Sequence, residues 1–285
     1  MSSATGGSMP PLSLSILGVE PIDEFICEIA DFVHHMIMTR PNMGPDAKIE
    51  VEAKIGVMRD KTSGQRLSLP LLVETILTPN EIDLRFESNM SAMQHKHFNG
   101  LLNELMRISS QPSHPASPLE YKHVKLVDSF YSPDTGAGAA KEKTRVTRDE
   151  KSGTVIECMR KMRLGDLNIY SPKRAADWRV SVNLEVPVSH PIGSPSYARR
   201  KDRICYSHEE FNIDLTQVTS SSSQGQEVLH ELEVEFARPV FLMSAAMKRG
   251  DPSVPENERN AFDELIRAFV NNARILVKNA NEGWR

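Results

Sequence analysis

Ile49-Glu50-Val51-Glu52-Ala53-Lys54-Ile55 alternates without a break: Glu50, Glu52 and Lys54 share one face of an extended chain, and the other face is entirely apolar. Side chains two residues apart on a strand project to the same side, about 7 Å from one another. A second stretch, His230-Glu231-Leu232-Glu233-Val234-Glu235-Phe236, sets Glu231, Glu233 and Glu235 against a mostly apolar face. Three carboxylates in a row repel one another and are destabilising unless they are solvated, protonated or balanced by cations. Basic counterparts stand on other alternating segments. Arg145 shares a face with Thr147 and Asp149, and Lys161 and Arg163 lie on 154–163. Arg179, Ser181, Asn183 and Glu185 line one face of 177–186, and Lys201 and Arg203 open a further segment. If such a sheet curls into a barrel with its apolar faces outward under helices, the charged faces point inward and meet.

Working outward from these stretches, period-2 alternation dominates the chain in short segments bounded by Pro, Gly and Ser clusters, the pattern of a closed or sandwiched antiparallel sheet. The segments are 48–56, 82–87, 121–131, 143–149, 154–163, 177–186, 202–207, 211–217 and 228–237. Three stretches carry the helical period instead. Ile22, Phe25, Ile26, Ile29, Phe32, Val33 and Met36 recur through 21–38, with Pro21 suited to a first turn. Met93, Phe98, Leu101, Leu102, Leu105 and Met106 do so through 91–108, across Gly100. Ala261, Phe262, Leu265, Ile266, Phe269, Val270 and Ala273 follow Pro255. The joints are Ser110 to Pro118, Ser132 to Ala140 with its Gly-Ala run, Pro187 to Tyr197 with three prolines, and Thr219 to Gln226 with four consecutive serines. Residues 1–15 read as a disordered tail, and 16–285 as a single β-rich α+β domain with packing helices.

Length and composition narrow the functional classes. A chain of 285 residues with 39% hydrophobic residues buries a sizeable core, and its apolar runs fall short of the roughly 20 residues a membrane helix needs. Met1 to Pro10 lack the basic patch and apolar run of a secretory signal, so an intracellular protein without a membrane partner is expected. Cys27, Cys158 and Cys205 are odd in number and widely spaced, which argues against a disulfide framework or zinc site and reads as buried thiols. A formal net charge of -4 has the wrong sign for clamping a long stretch of nucleic acid, so any contact with RNA is local.

A lumen with an acidic patch and a basic patch suits one kind of chemistry. Phosphoanhydride hydrolysis needs a metal bridging phosphate oxygens, Arg and Lys donors for the developing charge, and a carboxylate to orient water. Hard oxygen donors such as Glu50, Glu52 and Glu235 suit Mg²⁺ or Mn²⁺. A Glu-x-Glu-x-Lys strand by itself is most often a solvated sheet face. Two acidic strands with basic faces between them make an empty solvated sheet the poorer account. Other motifs carry no role. The nine histidines, including His34-His35 and His95/His97, lack an HExxH arrangement. Gly136-Ala-Gly138 lacks the features of a P-loop, and no Gly-x-Ser-x-Gly elbow exists. Residues 60–64 and 149–153 read as polar hairpin turns.

The ordered set of Ile49-Glu-Val-Glu-Ala-Lys-Ile-Gly56, Arg145-Val-Thr-Arg-Asp149, Leu167-Asn-Ile-Tyr-Ser-Pro172, Ser181-Val-Asn-Leu-Glu-Val-Pro187, Arg200-Lys-Asp-Arg-Ile204 and His230-Glu-Leu-Glu-Val-Glu-Phe236 resembles the fungal RNA 5′-triphosphatases of mRNA capping, within the triphosphate tunnel metalloenzymes. The likeness spans about residues 20 to 245. It implies a closed eight-stranded antiparallel β-barrel, the triphosphate tunnel, with flanking helices. It also implies Mg²⁺- or Mn²⁺-dependent hydrolysis of the γ-phosphate of nascent RNA, leaving a diphosphate end. Carried over by position, Glu50, Glu52 and Glu235 look like metal ligands, and Arg145, Lys161, Lys201 and Arg203 like phosphate-contacting bases. Lys54 is a supporting base and Glu185 orients the attacking water. Glu231 and Glu233 complete the acidic floor. Asp214 and Thr216 fit the pattern, whereas Asn212 stands where yeast-type members have an arginine. The resemblance further implies a homodimer, a nuclear location, and association with the RNA guanylyltransferase or RNA polymerase II. The rival readings are a tunnel enzyme acting on nucleoside triphosphate, tripolyphosphate or thiamine triphosphate, and a non-catalytic barrel that binds phosphorylated partners or RNA ends.

Overall fold

Alternating segments do become strands, and helical periods become helices, in a computed structural model that describes residues 12–18, 23–115, 117–133, 142–222, 225–281 and 284. The strands are β1 (Lys48–Asp60), β2 (Thr75–Leu77), β3 (Leu84–Glu87), β4 (Glu120–Tyr131), β5 (Thr144–Asp149), β6 (Val155–Tyr170), β7 (Asp177–Pro187), β8 (Tyr197–His208), β9 (Phe211–Ser222) and β10 (Gly225–Phe236). The helices are α1 (Glu24–Thr39), α2 (Ala92–Ser109), α3 (Pro239–Lys248) and α4 (Glu256–Lys278). Among the described residues eight strands pair antiparallel in the order β10-β9-β8-β4-β5-β6-β7-β1. Pairing of β1 with β10 closes the ring, and it sets Glu52 opposite Glu235 and Lys54 opposite Glu233. The expected closed barrel forms, with β2 added to β6 and β3 to the far end of β1.

The apolar faces decide where the helices sit. Ile49, Val51, Ala53 and Ile55 of β1, Val180, Val182 and Leu184 of β7, and Leu232 and Val234 of β10 all point out of the barrel and are buried. Against them pack Ile29, Ala30, Val33 and Ile37 of α1 and Phe262, Ile266, Phe269, Val270 and Ala273 of α4, each fully covered. Phe269 stacks on Phe236 at 5.0 Å between ring centroids and on Phe211 at 6.4 Å. Trp178 is fully buried and donates its indole N–H to Glu74 at 2.8 Å. At the far end of β1, fully buried Asp177 accepts from the Met58 and Ser171 amides, each at 3.0 Å, and pairs with Arg66 at 2.7 Å. Gly56 is required there, because a methyl group would overlap the Glu87 carbonyl of β3.

Several boundaries differ from the sequence reading, each for a physical reason. Asp23 caps α1 by accepting from the Phe25 amide at 3.1 Å, so the helix starts at Glu24; Pro21 and Ile22 lie outside the described residues. Strand β6 runs on to Tyr170 because a register shift between Arg163 and Gly165 interrupts the alternation without ending the pairing. Strand β8 starts at Tyr197, well before 202, since the charges of Arg199-Arg200-Lys201 mask its period. The serine-rich joint at 219–226 is paired strand up to Ser222 and again from Gly225. Helix α3 went unanticipated, its ten residues beginning at a proline directly after β10. Of the tail, residues 1–11 lie outside the described residues and Leu12 and Leu14 are exposed. Residues 134–140 of the Gly-Ala loop also lie outside them. Both hairpin turns form, with Gly64 and Gly153 at positive φ and Asp60 and Asp149 each accepting an amide three residues on. All three cysteines are unpaired and half-buried, so the expectation of buried thiols is corrected. Among the described residues no helix is long and apolar enough to cross a membrane.

Helix α4 thus holds the barrel from outside through its aromatic contact. Phe269→Ala is expected to lower unfolding stability by about 3–5 kcal/mol, read from the urea midpoint at constant slope.

Candidate active site

The inward faces of the eight strands enclose a cavity of about 660 Å³ lined almost wholly by charged side chains. Because β1 and β10 are neighbours, the two acidic stretches lie side by side; β9 continues this wall, with Asp214 opposite Glu233 and Asn212 opposite Glu235. Across the lumen stand Arg145 of β5, Lys161 of β6, and Lys201 and Arg203 of β8. All the expected residues Glu50, Glu52, Lys54, Arg145, Lys161, Glu185, Lys201, Arg203, Glu231, Glu233 and Glu235 line this one cavity. Asp214 is buried behind Arg203, 2.6 Å from its guanidinium.

Burial forces the charges to pair. Lys54 holds Glu233 and lies 3.6 Å from Glu52. Lys161 holds Glu50 and reaches Glu52 at 3.4 Å. Arg145 bridges Glu157 at 2.8 Å and Glu185 at 3.2 Å, and Lys201 meets the fully buried Asp128 at 2.6 Å. Arg203 donates to Thr216 at 3.1 Å and lies 3.8 Å from Glu233. Asn183 donates from one amide to both Glu50 (2.9 Å) and Glu52 (3.1 Å).

The titration of the acidic wall is uneven. Burial alone would raise Glu233, but Lys54 and Arg203 outweigh it and bring its carboxyl down to about 2. Its neighbour Glu235 is pushed up to about 8 by burial and by Asp214, with Arg203 opposing and Glu50 and Glu233 adding to the rise. The amide of Asn212 reaches Glu235 at only 3.4 Å, which answers what the departure from arginine does here: it supplies a weak hydrogen bond and no charge. Burial also raises Glu52 despite Lys54 and Lys161. Burial depresses Lys201, with Arg203 and Arg145 adding and Asp128 opposing. Asp128 itself is held low, since Lys201 and Thr147 overcome its burial.

For a cation, the donors on hand are the carboxylates of Glu50, Glu52 and Glu235 and the Asn183 Oδ1, a buried oxygen with no hydrogen-bond partner. That set is all hard oxygen and acidic, and it fits Mg²⁺ or Mn²⁺ by chemistry. Among the described residues no three Asp, Glu, His or Cys side chains converge in ligand geometry; Lys161 contacts Glu50 and Glu52, and Glu235 meets only the Asn212 amide.

Sequence reasoning missed Asp128, Arg199 and Glu157 as parts of the lumen, and gave Asn183 a place on an inward face with no role. The first shares parity with Leu126 and Phe130, an apolar-looking face that hid one carboxylate; Arg199 fell outside a segment begun at 202. The histidines stay off the site. His34 and His97 bond helix-end carbonyls of Ala246 and Asn279, and His95 packs at a tilt against His230 with its pKa lowered by burial to about 4.

The sequence profile described as "mRNA capping enzyme, beta chain" matches residues 19–282. The chain belongs to this family. It is 35% identical to the mRNA-capping enzyme subunit beta of Schizosaccharomyces pombe over 94% of this chain and 86% of that one. It is also 35% identical to the subunit of Cryptococcus neoformans over 94% of this chain, which spans 65% of that relative. The solved structure of S. pombe Pct1 RNA triphosphatase in complex with the Spt5 CTD superposes with a TM-score of 0.84 at 34% identity, covering 96% of this chain and all of that one. The fungal capping family and its barrel, both expected from the motifs, are therefore established for this chain.

One test isolates the pairing in the lumen. Lys201→Met leaves buried Asp128 with only the Thr147 hydroxyl and the more distant Arg199 guanidinium at 3.7 Å, and is expected to cost about 3 kcal/mol of unfolding stability. The double variant with Asp128→Asn should regain most of that loss in the same denaturation measurement.

Proposed function

We propose that this chain is a divalent-metal-dependent RNA 5′-triphosphatase that removes the γ-phosphate of a nascent transcript and leaves a 5′-diphosphate end, the first step of capping. The supporting observation is the meeting, inside one enclosed lumen, of Glu50, Glu52 and Glu235 with Arg145, Lys161, Lys201 and Arg203. A phosphoanhydride needs both signs of charge within reach of the same oxygens.

Each residue has a part. Arg145, Lys161, Lys201 and Arg203 bind the non-bridging phosphate oxygens, and the planar forks of the two arginines fix their orientation. Glu185, held 3.2 Å from Arg145, orients the attacking water from the side where the phosphate bases stand. Asp214 positions Arg203 from behind, and Glu231 and Glu233 hold the acidic floor, Glu233 through Lys54. Glu50, Glu52 and Glu235 would hold Mg²⁺ or Mn²⁺, which supplies charge neutralisation and polarises the phosphoryl oxygens when bound. The partly enclosed cavity screens these charges less than bulk water does.

The family supports the remaining parts of the reading. On this reading the chain works beside a guanylyltransferase at RNA polymerase II, in the nucleus; its family description as an mRNA capping enzyme beta chain, and the S. pombe relative solved with the Spt5 CTD, support this. A homodimer is part of the same proposal.

Release of inorganic phosphate from 5′-triphosphate RNA, measured with Mg²⁺, Mn²⁺ or chelator, checks this. Wild type is expected to release phosphate only with metal and to leave a diphosphate end. Glu50→Ala, Glu52→Ala and Glu235→Ala should each lose more than the roughly 10–100-fold that removal of an outer partner costs. Arg203→Ala should weaken phosphate engagement and Arg203→Lys restore part of it. Metal-dependent release retained in all three glutamate variants overturns the ligand assignment. Absence of release from RNA, with release from tripolyphosphate or nucleoside triphosphate, transfers the site to a small-molecule tunnel enzyme.

A further inference from the structure

Two aromatic rings stand among the charges of the lumen. At the rim, Phe130 of β4 and Tyr197 of β8 face one another directly across the strand pair. Their rings are parallel within 8° at 4.5 Å between centroids. The Arg199 guanidinium lies 4.6 Å from the Phe130 ring and the Lys143 ammonium 4.7 Å from that of Tyr197. Since the rings cover each other's inner faces, the cations occupy the outer ones, giving a layered column of cation, ring, ring and cation. Tyr197 remains 40% exposed. Lys143 is exposed too, and among the described residues no carboxylate lies within ion-pair distance to anchor it over the ring. The outer face of Tyr197 is therefore covered by a displaceable group on a flexible stem.

The column stands in line with the phosphate bases. Tyr197, Arg199, Lys201 and Arg203 share the inward face of β8, so Tyr197 lies about 13 Å along the strand from Lys201. A ribose and the inner phosphates fill such a span. The acidic run starts level with Arg203, because Thr216 of β9 faces Arg203 on one side and Glu231 on the other. A polyanionic chain is repelled there and passes instead toward Arg199 and Tyr197. Flat π-faces and guanidinium planes bind unstacked bases with little regard to sequence.

Resting on the triphosphatase reading above, we infer that Tyr197, backed by Phe130, is a stacking platform for the first base behind the 5′ phosphates, and that this platform lets the enzyme tell a nucleic-acid end from an inorganic polyphosphate. On stacking, the base displaces the Lys143 ammonium, which is then available to the phosphodiester that follows. Tyr197 is thus a substrate-specificity residue that takes no part in the hydrolysis.

Two measurements on the full chain test this. In the first, KM for triphosphate RNA and the inhibition constant of inorganic tripolyphosphate are compared across variants. Tyr197→Ala is expected to raise KM for RNA about tenfold or more while leaving the tripolyphosphate constant unchanged. Tyr197→Leu, which keeps apolar bulk against Phe130, should match alanine, and Tyr197→Phe should match wild type. In the second, 2-aminopurine is placed as the 5′-terminal base of triphosphate RNA. Its fluorescence should be quenched on binding wild type and Tyr197→Phe, and not on binding Tyr197→Leu. Unchanged KM for RNA in the alanine and leucine variants, an equal shift for RNA and tripolyphosphate, or absence of quenching with wild type overturns the platform. Quenching without phosphate release removes the triphosphatase reading and leaves the platform standing. Release without quenching does the reverse.

Discussion

An alternating strand closed into a ring must turn every second side chain inward, and in this chain those side chains are charged. The rest of the molecule follows from that constraint. Glu52 and Glu233 are nearly inaccessible, and Asp128 and Asp214 are buried behind their bases. None of these groups can stay ionised without a counter-charge. Pairs therefore form across strands that are far apart in sequence: Lys54 with Glu233, Lys161 with Glu50, Lys201 with Asp128, Arg203 with Asp214. Buried pairs of this kind seldom add net stability, because desolvation consumes the attraction. The folding free energy must come from the other side of the sheet, where β1, β7 and β10 meet α1 and α4 in an apolar layer. The barrel wall separates the two tasks, with packing outside and chemistry inside.

This division explains what could be read from the chain. Periodicity reports which side of a strand is apolar, and it alone sets Glu50, Glu52, Arg145, Glu231, Glu233 and Glu235 on inward faces. It does not report which inward residues meet. The register that sets Glu52 opposite Glu235 is a property of ring closure, and no local signal encodes it. Asp128 was missed for a related reason, since it sits between Leu126 and Phe130 on a face that looks apolar. Asn183 was placed on its face without a role, because an uncharged amide gives no electrostatic hint. Only the structure shows that it donates to Glu50 and Glu52 together. Family likeness named the ligand and base positions, and it flagged Asn212 as a departure; the geometry then showed an amide reaching Glu235 with no charge to give.

The departures from regular alternation have a common cause as well. Alternation was lost where the backbone departs from a regular ladder, as at the register shift after Arg163, or where both faces are polar, as in Arg199-Arg200-Lys201 and the serines near 220. In each case hydrogen bonding to a neighbouring strand continued. Strand extent in a barrel is decided by the ladder, and side-chain period is only its shadow on the regular parts. At Gly165 the departure has a packing reason, since a methyl there would crowd Met36 and Phe32 of α1.

The pairing inside the lumen also bears on how ligands enter. Lys161 leaving Glu50 uncovers a half-buried carboxylate, and Lys201 and Arg203 turning to a phosphate uncover the buried Asp128 and Asp214. A phosphate arriving alone would draw the bases from their carboxylates and leave those carboxylates bare. A cation arriving alone would displace the lysines and leave them without partners. Each event by itself strands buried charge, and the two together exchange one set of pairs for another at little electrostatic cost. Such mutual relief is a coupling free energy between two ligands, and it acts equally in both directions. On the triphosphatase reading proposed above, the alternating charges that set the inward face favour joint occupancy by phosphate and cation.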